Sequence, residues 1–311
     1  MNKTTIAVIG AGIVGERILR MISAHPEAEA SVLYDADPVR RDQMSREFSV
    51  SAAGSLEEVF DQAPDWVYIG TPPRHHAPIA EAAFKAGLDV LCEKPLAHDA
   101  ETAGRMAEAA LRHGRRTAMH FPLLYDPSVR MLLSEAGNGS IGQIRRIELQ
   151  AHFPQWPRPW QQNPWIGTRE QGGFIREVFP HFLQIMSRLS GGLQILSKRT
   201  DYPEDPGLSE TGVLAIGRTE DDIPVLINGL AGAAAEERIE FTVFGSDAVL
   251  KLVNWSGLYR AVGGGPFEKI EPSATVPGLL DELLRLKSGE DAEVVPFSEG
   301  AIIQRSIDAL L

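Results

Sequence analysis

The chain has 311 residues, of which 43% are hydrophobic and 23% charged, the composition of an ordinary globular protein with one large or two smaller domains. Its formal net charge of −12 argues against a nucleic-acid partner and against binding to anionic membrane surfaces. The single cysteine, Cys92, rules out an intrachain disulfide and favours a reducing compartment. With no apolar run of membrane-spanning length, we expect a cytoplasmic protein.

The first 120 residues alternate short apolar runs with helical patterns. The predicted strands are Thr5–Ile9, Ser31–Tyr34, Trp66–Ile69, Asp89–Leu91 and Thr117–Met119. The predicted helices are Ile13–Ala24, Pro38–Phe48, Pro78–Ala86 and Asp99–His113. Alternation of this kind implies βαβ units on a parallel sheet that is buried on both faces. This half is therefore predicted to be a doubly wound α/β domain.

The pattern changes after Leu123, where strands follow one another with few helices between them. The predicted strands are Ile144–Phe153, Leu193–Arg199, Gly212–Arg218, Pro224–Gly229, Ile239–Phe244 and Ala248–Leu252. The predicted helices are Pro127–Glu135, Pro180–Leu189, Val276–Lys287 and Ser298–Leu311. Short connections suit hairpins, so this half is predicted to be an α+β domain with a large, mostly antiparallel open sheet. We expect domains at residues 1–122 and 123–311, with the C-terminal helix free to pack back on the first.

A glycine motif of the form GxGxxG lies between the first predicted strand and the first predicted helix. Its glycines are Gly10, Gly12 and Gly15, and Ile13 and Val14 stand between the last two. In a strand–turn–helix setting these glycines allow a tight turn, close approach of a pyrophosphate and close helix packing. The helix N-terminus adds N–H groups and a positive dipole end that stabilise phosphate charge. The motif predicts a dinucleotide site.

An acidic residue, Asp35, ends the second predicted strand twenty residues after the last glycine of the motif. A carboxylate here accepts hydrogen bonds from ribose hydroxyls and repels a 2′-phosphate, which favours NAD over NADP. The alternative is that Asp35 only caps the following helix, a role that Asp37 fills equally well. Arg40 and Arg41 lie close by and keep NADP open.

Two proline-rich turns follow neighbouring strands of the predicted sheet, Thr71-Pro72-Pro73 and Glu93-Lys94-Pro95. In a doubly wound sheet, ligands bind outside the carboxyl ends of the strands. Pro95 restricts Lys94 to extended conformations, which holds a long cationic side chain in one direction. We interpret this lysine as aimed at a substrate.

The segment Asp65–His98 resembles the signature of the Gfo/Idh/MocA family (glucose–fructose oxidoreductase, inositol dehydrogenase, rhizopine catabolism). The match includes the TPP turn, His76, the run AGLDVLCEKPLA and the N-terminal GxGxxG, and the resemblance extends over essentially the whole chain. It implies an NAD(P)-dependent oxidoreductase with a Rossmann domain and a substrate-binding and oligomerisation domain.

The resemblance also implies roles for single residues of the first domain. The turn Thr71–Pro73 and His76 would lie along the nicotinamide ribose, and Glu93 near the nicotinamide. Lys94 would meet the substrate, and the peptide before Pro95 would be cis.

In the second domain the family carries a glycine-rich segment followed by Asp-x-x-x-His. Here the histidine is His181, but Glu177 replaces the aspartate, Gln184 stands where many members have an acid, and Leu124 stands where an arginine is usual. Histidine suits proton transfer near neutral pH, a carboxylate orients it, and a lysine stabilises the developing negative charge on oxygen. The alternative for His181 is a packed or helix-capping residue beside Pro180.

The segment His152–Gly167 contains three tryptophans and four prolines. Trp156, Trp160 and Trp165, together with Tyr125, are candidates for the wall of a substrate site. The polar residues that could read hydroxyls are Gln155, Arg158, Gln161, Gln162 and Asn163. The alternative, equally weighted, is that the rings cover the sheet or line a subunit interface.

We therefore expect an NAD-dependent oxidoreductase acting on a polyol, sugar, cyclitol or related small hydroxy or carbonyl compound. Two alternatives remain open: an NAD-retaining lyase or glycosidase that uses transient oxidation, and a non-catalytic cofactor-binding regulator. The eight histidines form no ligand pattern, so no metal is expected. A homodimer or homotetramer is implied by the resemblance alone.

Overall fold

A computed structural model of the chain describes residues 3–161, 163–272 and 275–311. These residues fall into two compact units. The first contains residues 3–120 and 277–301, and the second contains the remaining described residues from Phe121 to Val276 together with Ile302–Leu311. Among the described residues, no helix combines the length and apolarity needed to cross a bilayer.

The first unit is built on a parallel sheet of six strands. Its strands are β1 Thr4–Ile9, β2 Ala28–Tyr34, β3 Ser51–Ala52, β4 Trp66–Ile69, β5 Asp89–Glu93 and β6 Thr117–His120. Its helices up to β6 are α1 Ile13–Ala24, α2 Pro38–Phe48, α3 Leu56–Asp61, α4 His76–Lys85 and α5 Ala100–Arg112. The strand order β3-β2-β1-β4-β5-β6, with every pair parallel, is that of a doubly wound Rossmann sheet. The predicted α/β class is confirmed.

Burial explains why the strands of the first unit are apolar throughout. Every residue of β4 and β5 is buried, because helices cover both faces of the sheet. Cys92 is one of these core residues. The elements of this unit that the sequence did not predict, β3 and α3, are only two and six residues long, too short to show a periodicity.

A segment from the C-terminal part of the chain completes the first unit. It contains helix α9, Leu279–Lys287. The Lys287 ammonium lies 2.7 Å from a carboxylate oxygen of Asp65, and the Arg116 guanidinium donates to the backbone carbonyl oxygen of the same lysine at 2.7 Å. Val295 forms a bridge with Met119 of β6. These contacts tie the segment to the sheet.

The second unit is built on a sheet of eight strands. They are β7 Ile144–Phe153, β8 Leu193–Asp201, β9 Gly212–Thr219, β10 Pro224–Ala231, β11 Arg238–Gly245, β12 Ala248–Val253, β13 Gly257–Val262 and β14 Glu268–Lys269. Their order is β14-β13-β12-β11-β7-β10-β9-β8, and in the part of the chain that the structure describes only the central pair β7–β10 is parallel. The predicted mostly antiparallel sheet is confirmed.

Helices cover one face of this sheet. They include α6 Pro127–Gly137, α7 Phe174–Glu177 and α8 Phe179–Ser190, and the last helix, α10 Phe297–Leu310, has residues in both units. Phe182 of α8 stacks on Phe241 of β11, with ring centroids 6.0 Å apart.

The opposite face of the sheet shows an apolar patch on β9 and β10. Its residues are Leu214, Ile216, Leu226 and Leu230, which are 54%, 56%, 37% and 45% exposed. Ile216 and Leu226 are directly paired across the two strands.

Candidate functional site

In the glycine turn, two glycines are required because a Cβ would clash with the protein backbone, whereas the third has room for a Cβ. Gly10 has φ +90°, and a Cβ there would lie 2.7 Å from the backbone carbon of Gly70. A Cβ on Gly15 would overlap the carbonyl oxygen of Gly10. A Cβ on Gly12, by contrast, would meet no atom of the described residues within 4 Å. The chain therefore leaves open space at the position where a pyrophosphate must approach the backbone.

The start of helix α1 faces this open space. Gly12 is its N-cap and supplies no side-chain hydrogen bond, so the first N–H groups of the helix are left to an external acceptor. Ile13 and Val14 are 42% and 37% exposed, unusual for large apolar residues that follow a buried strand. An open glycine, uncapped N–H groups and exposed apolar side chains fit a bound dinucleotide.

Asp35 anchors the glycine turn. One carboxylate oxygen accepts a hydrogen bond from the Ala11 N–H at 2.7 Å, and the other accepts from the Asp37 N–H at 2.9 Å. The cap of helix α2 is Asp37, which accepts from the Val39 N–H at 2.9 Å. The alternative in which Asp35 caps this helix is therefore wrong.

The arginine closest to Asp35 along the chain is already engaged. The Arg40 guanidinium donates to the Ala11 carbonyl oxygen and to the Glu16 carboxylate, both at 2.6 Å. Because the Glu16 carboxylate neutralises the Arg40 guanidinium, this positive charge is not left to bind a 2′-phosphate. Arg41 lies 3.6 Å from the carboxylate of Asp42.

The carboxyl ends of β4, β5 and β6 bring three titratable groups together. The Tyr68 hydroxyl donates to the Glu93 carboxylate at 3.0 Å, and His120 Nδ1 lies 2.5 Å from the same oxygen. Burial alone would raise the pKa of Glu93, but the charge and hydrogen bond of His120 and the charge of Lys94 outweigh it, and the pKa is lowered. Burial, followed by the Glu93 charge, raises the pKa of Tyr68.

Lys94 follows directly on this network. Its backbone N–H donates to the second oxygen of Glu93 at 3.3 Å, its side chain is half-buried, and the Lys94–Pro95 peptide is cis. A buried carboxylate thus stands at the base of the lysine, at the sheet edge where the glycine turn also lies.

His76 joins the two proline-rich turns. Its ring is fully buried, Nε2 lies 2.7 Å from the Thr71 carbonyl oxygen, and Nδ1 lies 3.1 Å from the Leu96 carbonyl oxygen. Burial lowers the pKa of His76 despite these carbonyls. Because the two ring nitrogens of His76 face these backbone oxygens, we interpret His76 as the side chain that holds the Thr71–Pro73 turn and the Glu93–Pro95 turn together.

In the second unit, the carboxylate of Glu210 anchors the segment that leads to Glu177 and His181. One of its oxygens accepts from the Ile175 N–H of α7 at 2.7 Å. Gly173 just before this helix has φ +101°, and a Cβ there would overlap the same carboxylate. Burial raises the pKa of Glu210 from 4.5 to about 7, although the Ile175 N–H and the charges of two nearby arginines oppose it.

His181 lies in the first turn of α8, four residues after the half-buried Glu177, which ends α7. The imidazole makes perpendicular ring contacts with Phe121 at 5.9 Å and with Trp255 at 5.7 Å. Only 9% of the residue is exposed, and Gln184 on the next turn is fully buried. Leu124 is also buried, so an apolar side chain suits this position, where the resembled family usually has an arginine.

The aromatic candidates divide into packed and exposed rings. Trp156 packs against Phe153 and Phe174, and its indole N–H donates to the Ile166 carbonyl oxygen at 3.3 Å. Trp160 is 52% exposed, whereas Trp165 and Tyr125 are half-buried.

The polar candidates in the same segment are only partly described. The Arg158 guanidinium is bound by both carboxylate oxygens of Glu237, at 2.9 and 3.0 Å. Gln162 lies outside the described residues. For Trp156 the packing interpretation is favoured, and the substrate role of the other residues stays a prediction.

Sequence reasoning missed four residues of these clusters: Tyr68, His120, Glu210 and Trp255. His120 ends β6 beside Glu93, so the rule that adjacent parallel strands end at one edge could have identified it. Glu210 and Trp255 contact residues tens of positions away, and no local pattern indicates them.

Comparison with known proteins identifies the family. Residues 4–121 match the Gfo/Idh/MocA model, described as an oxidoreductase family with an NAD-binding Rossmann fold. The chain is 33% identical over 267 residues to an inositol 2-dehydrogenase of Acidothermus cellulolyticus, covering 83% of this chain and 75% of that protein. The chain belongs to the Gfo/Idh/MocA oxidoreductase family. Its first unit is the NAD-binding Rossmann domain of this family.

Other relatives agree with this membership. The myo-inositol dehydrogenase Hyg17 of Streptomyces leeuwenhoekii is 27% identical over 228 residues, which cover 70% of this chain and 67% of that enzyme. The chain spans from 60% to 67% of the length of the first relatives that it matches. A levoglucosan dehydrogenase solved with NADH and levoglucosan shares the fold at a TM-score of 0.84 and 18% identity, covering 100% of this chain and 96% of that one.

Proposed function

We propose that this Gfo/Idh/MocA protein is a dehydrogenase that transfers a hydride between NAD and a polyol, sugar, cyclitol or related small hydroxy or carbonyl compound. The observation that carries the proposal is the placement of Lys94 at the same sheet edge as the open glycine turn. Relatives named as inositol dehydrogenases support the substrate class.

Oxidation of an alcohol requires removal of the hydroxyl proton while hydride leaves the carbon. Bound NAD supplies the hydride acceptor. We propose that Lys94 hydrogen-bonds the substrate oxygen and stabilises its developing negative charge.

The second unit supplies the proton acceptor in this proposal. His181 takes the hydroxyl proton, and Glu177, four residues earlier, orients the imidazole and stabilises its cation. The glutamate reaches one methylene further than the family's usual aspartate and carries the same charge. We propose that Tyr125, Trp160 and Trp165 line the substrate.

The cofactor preference in the proposal is NAD over NADP. Asp35 places a carboxylate beside the glycine turn, where a 2′-phosphate would be repelled. The charge of Arg40 is already neutralised by Glu16. The residues proposed to line the cofactor also include the Thr71–Pro73 turn and Glu93, with His76 as their brace.

A second copy of the chain is the partner that we propose. The apolar patch on β9 and β10 is larger than scattered single exposures, and such patches mark interaction surfaces. We therefore propose a homodimer that buries this face, or a homotetramer that is assembled through it. We place the protein in the cytoplasm, where the reduced state of the buried Cys92 is maintained.

The proposal is tested by a nicotinamide-absorbance screen of sugars, cyclitols and cyclic diols, with NAD and NADP run side by side. For the best substrate, Lys94→Ala is expected to lower kcat by about 10²- to 10³-fold, the usual effect of removing a donor to a developing oxyanion. NAD binding, followed by calorimetry, is expected to stay within a few-fold. Lys85→Ala, at an exposed position of α4, is the matched control.

A double variant tests whether Lys94 and His181 serve one proton transfer. If they do, Lys94→Ala with His181→Ala should lose about as much activity as the more damaging single change, since groups that act as a unit are strongly non-additive. Losses that multiply, or a Lys94→Ala enzyme with full turnover, would contradict these roles. Cofactor that co-purifies and undergoes no net reduction would instead favour the lyase alternative.

A further inference from the structure

The turn between β12 and β13 holds a tryptophan in an unusual backbone conformation. Asn254 has φ +46° and Trp255 has φ +80°, both in the left-handed region. Asparagine tolerates this region, but a bulky aromatic residue there is a rare exception. Such strained residues persist only where surrounding structure fixes them, and they concentrate at functional sites.

The turn is clamped to the neighbouring strand by Asn254. Its backbone N–H donates to the Ile239 carbonyl oxygen at 2.9 Å, and its side-chain oxygen accepts from the Ile239 N–H at 3.1 Å. Ile239 is completely buried in β11. The backbone of Trp255 is therefore held in place by the sheet.

The indole ring of Trp255 is fixed by its neighbours in the second unit. Its centroid lies 5.6 Å from that of Phe182, which is itself stacked on the sheet. The Arg158 guanidinium lies 5.4 Å from the indole centroid and is locked by both oxygens of Glu237. Contacts of this kind stabilise aromatic and cationic groups in defined positions.

This fixed ring contacts the imidazole of His181. The two ring planes are nearly perpendicular, at 83°, with centroids 5.7 Å apart. Phe121 makes a second perpendicular contact with the imidazole at 85° and 5.9 Å. Two rings thus restrict rotation of the side chain that the proposed function uses for proton transfer.

We propose that Trp255 is a positioning residue for His181. The inference rests on the proposed function, because it assigns a purpose to the orientation of that imidazole. The clamped turn holds the indole, and the indole limits the imidazole to one orientation. A displacement of about 1 Å at a reacting group can lower a rate by about 10²-fold.

The test compares Trp255→Ala with Trp255→Phe and with Ser256→Ala, an exposed control in the same turn. We expect Trp255→Ala to lower kcat by about 10- to 100-fold, with NAD binding within about threefold of the parent protein. Trp255→Phe should recover most of the loss, because it restores a ring against the imidazole. Ser256→Ala should leave kcat unchanged. Trp255→Leu replaces the alanine variant if that variant does not fold.

A measurement without substrate separates this inference from the proposed function. In a protein labelled with carbon-13 at the histidine rings, the His181 resonances, assigned by His181→Gln, carry ring-current shifts from the indole. Trp255→Ala and Trp255→Leu should move and broaden these resonances, whereas Ser256→Ala should not. If the resonances move but no substrate is oxidised, the proposed function fails and the positioning role stands. Unchanged resonances, or an unchanged kcat in a folded Trp255→Ala protein, would overturn the inference.

Discussion

Glu210 is a buried acidic residue that binds the start of α7, the helix that ends at Glu177. Burial raises its pKa to about 7. The charged and titratable groups that interact with it electrostatically include Arg169, Arg176 and Tyr202. Because the folded chain keeps this proton to higher pH than the unfolded chain, its effect on stability depends on pH.

The direction of this pH dependence follows from the pKa of Glu210, which is 4.5 in the unfolded chain and about 7 in the folded chain. Protonated Glu210 contributes about 3 kcal/mol to the free energy of unfolding. This contribution is fully present below pH 4.5 and is lost as the pH rises through 7. Between pH 5 and 8, the free energy of unfolding of the parent protein should fall by about 2 kcal/mol more than that of Glu210→Gln, which cannot titrate. Urea unfolding of both proteins at the two pH values measures this difference, and parallel pH dependences would contradict it.

At the residue scale, local chemistry predicted some contacts and missed others. The spacing of Asp35 after the glycine motif, and the capping ability of Asp37, follow from the nearby sequence. Glu210 bonds a backbone N–H 35 residues away, and Trp255 reaches His181 only through the completed sheet. Such partners depend on tertiary structure, which a single sequence does not display.

The ends of β4, β5 and β6 form the element on which Lys94 stands. The Glu93 carboxylate is buried there and is stabilised by His120 and Tyr68. Removal of one partner from a buried ionic pair leaves an uncompensated charge. The lowered pKa of Glu93 means that its favourable contribution is present above the unfolded value of 4.5 and is lost as the pH falls below it.

His120→Phe is therefore expected to destabilise the first unit by about 3 kcal/mol near neutral pH, the usual cost of breaking a buried pair. It should also reduce turnover, because the carboxylate at the base of Lys94 loses its anchor. Thermal unfolding measures the first effect. His113→Phe, at an exposed position on the same chain segment, should change stability by no more than about 0.5 kcal/mol. Equal stabilities of the two variants would contradict the account.

Periodicity predicted the long elements of both sheets, because burial on one or two faces leaves a repeating pattern. It did not predict α7, which is four residues long and depends on Gly173 and Glu210. It also missed β13, in which Arg260 and half-buried residues interrupt the apolar pattern. Elements that are set by distant partners or by partial exposure lie beyond a one-dimensional pattern.

At the scale of the whole molecule, the exposed apolar patch on β9 and β10 bears on assembly. The double variant Leu214→Glu with Ile216→Glu places two like charges on this face, where two copies would bring four together. Light scattering should give at least twice the chain mass of 34.0 kDa for the parent protein and the single-chain mass for the double variant. Leu111→Glu, at a residue that is 79% exposed on α5, is the control. A parent protein that remains a single chain at all concentrations would contradict the proposed assembly.

The most direct test of the account is the fate of the hydrogen on the carbinol carbon. The best polyol or cyclitol from the screen, deuterated at that carbon, is incubated with the protein and NAD, and the released cofactor is analysed by mass spectrometry. We expect one deuterium in each NADH released, and formation of labelled NADH about 10²- to 10³-fold slower with Lys94→Ala. Deuterium that returns to the product, or NADH without deuterium, would contradict the assignment of this protein as a dehydrogenase.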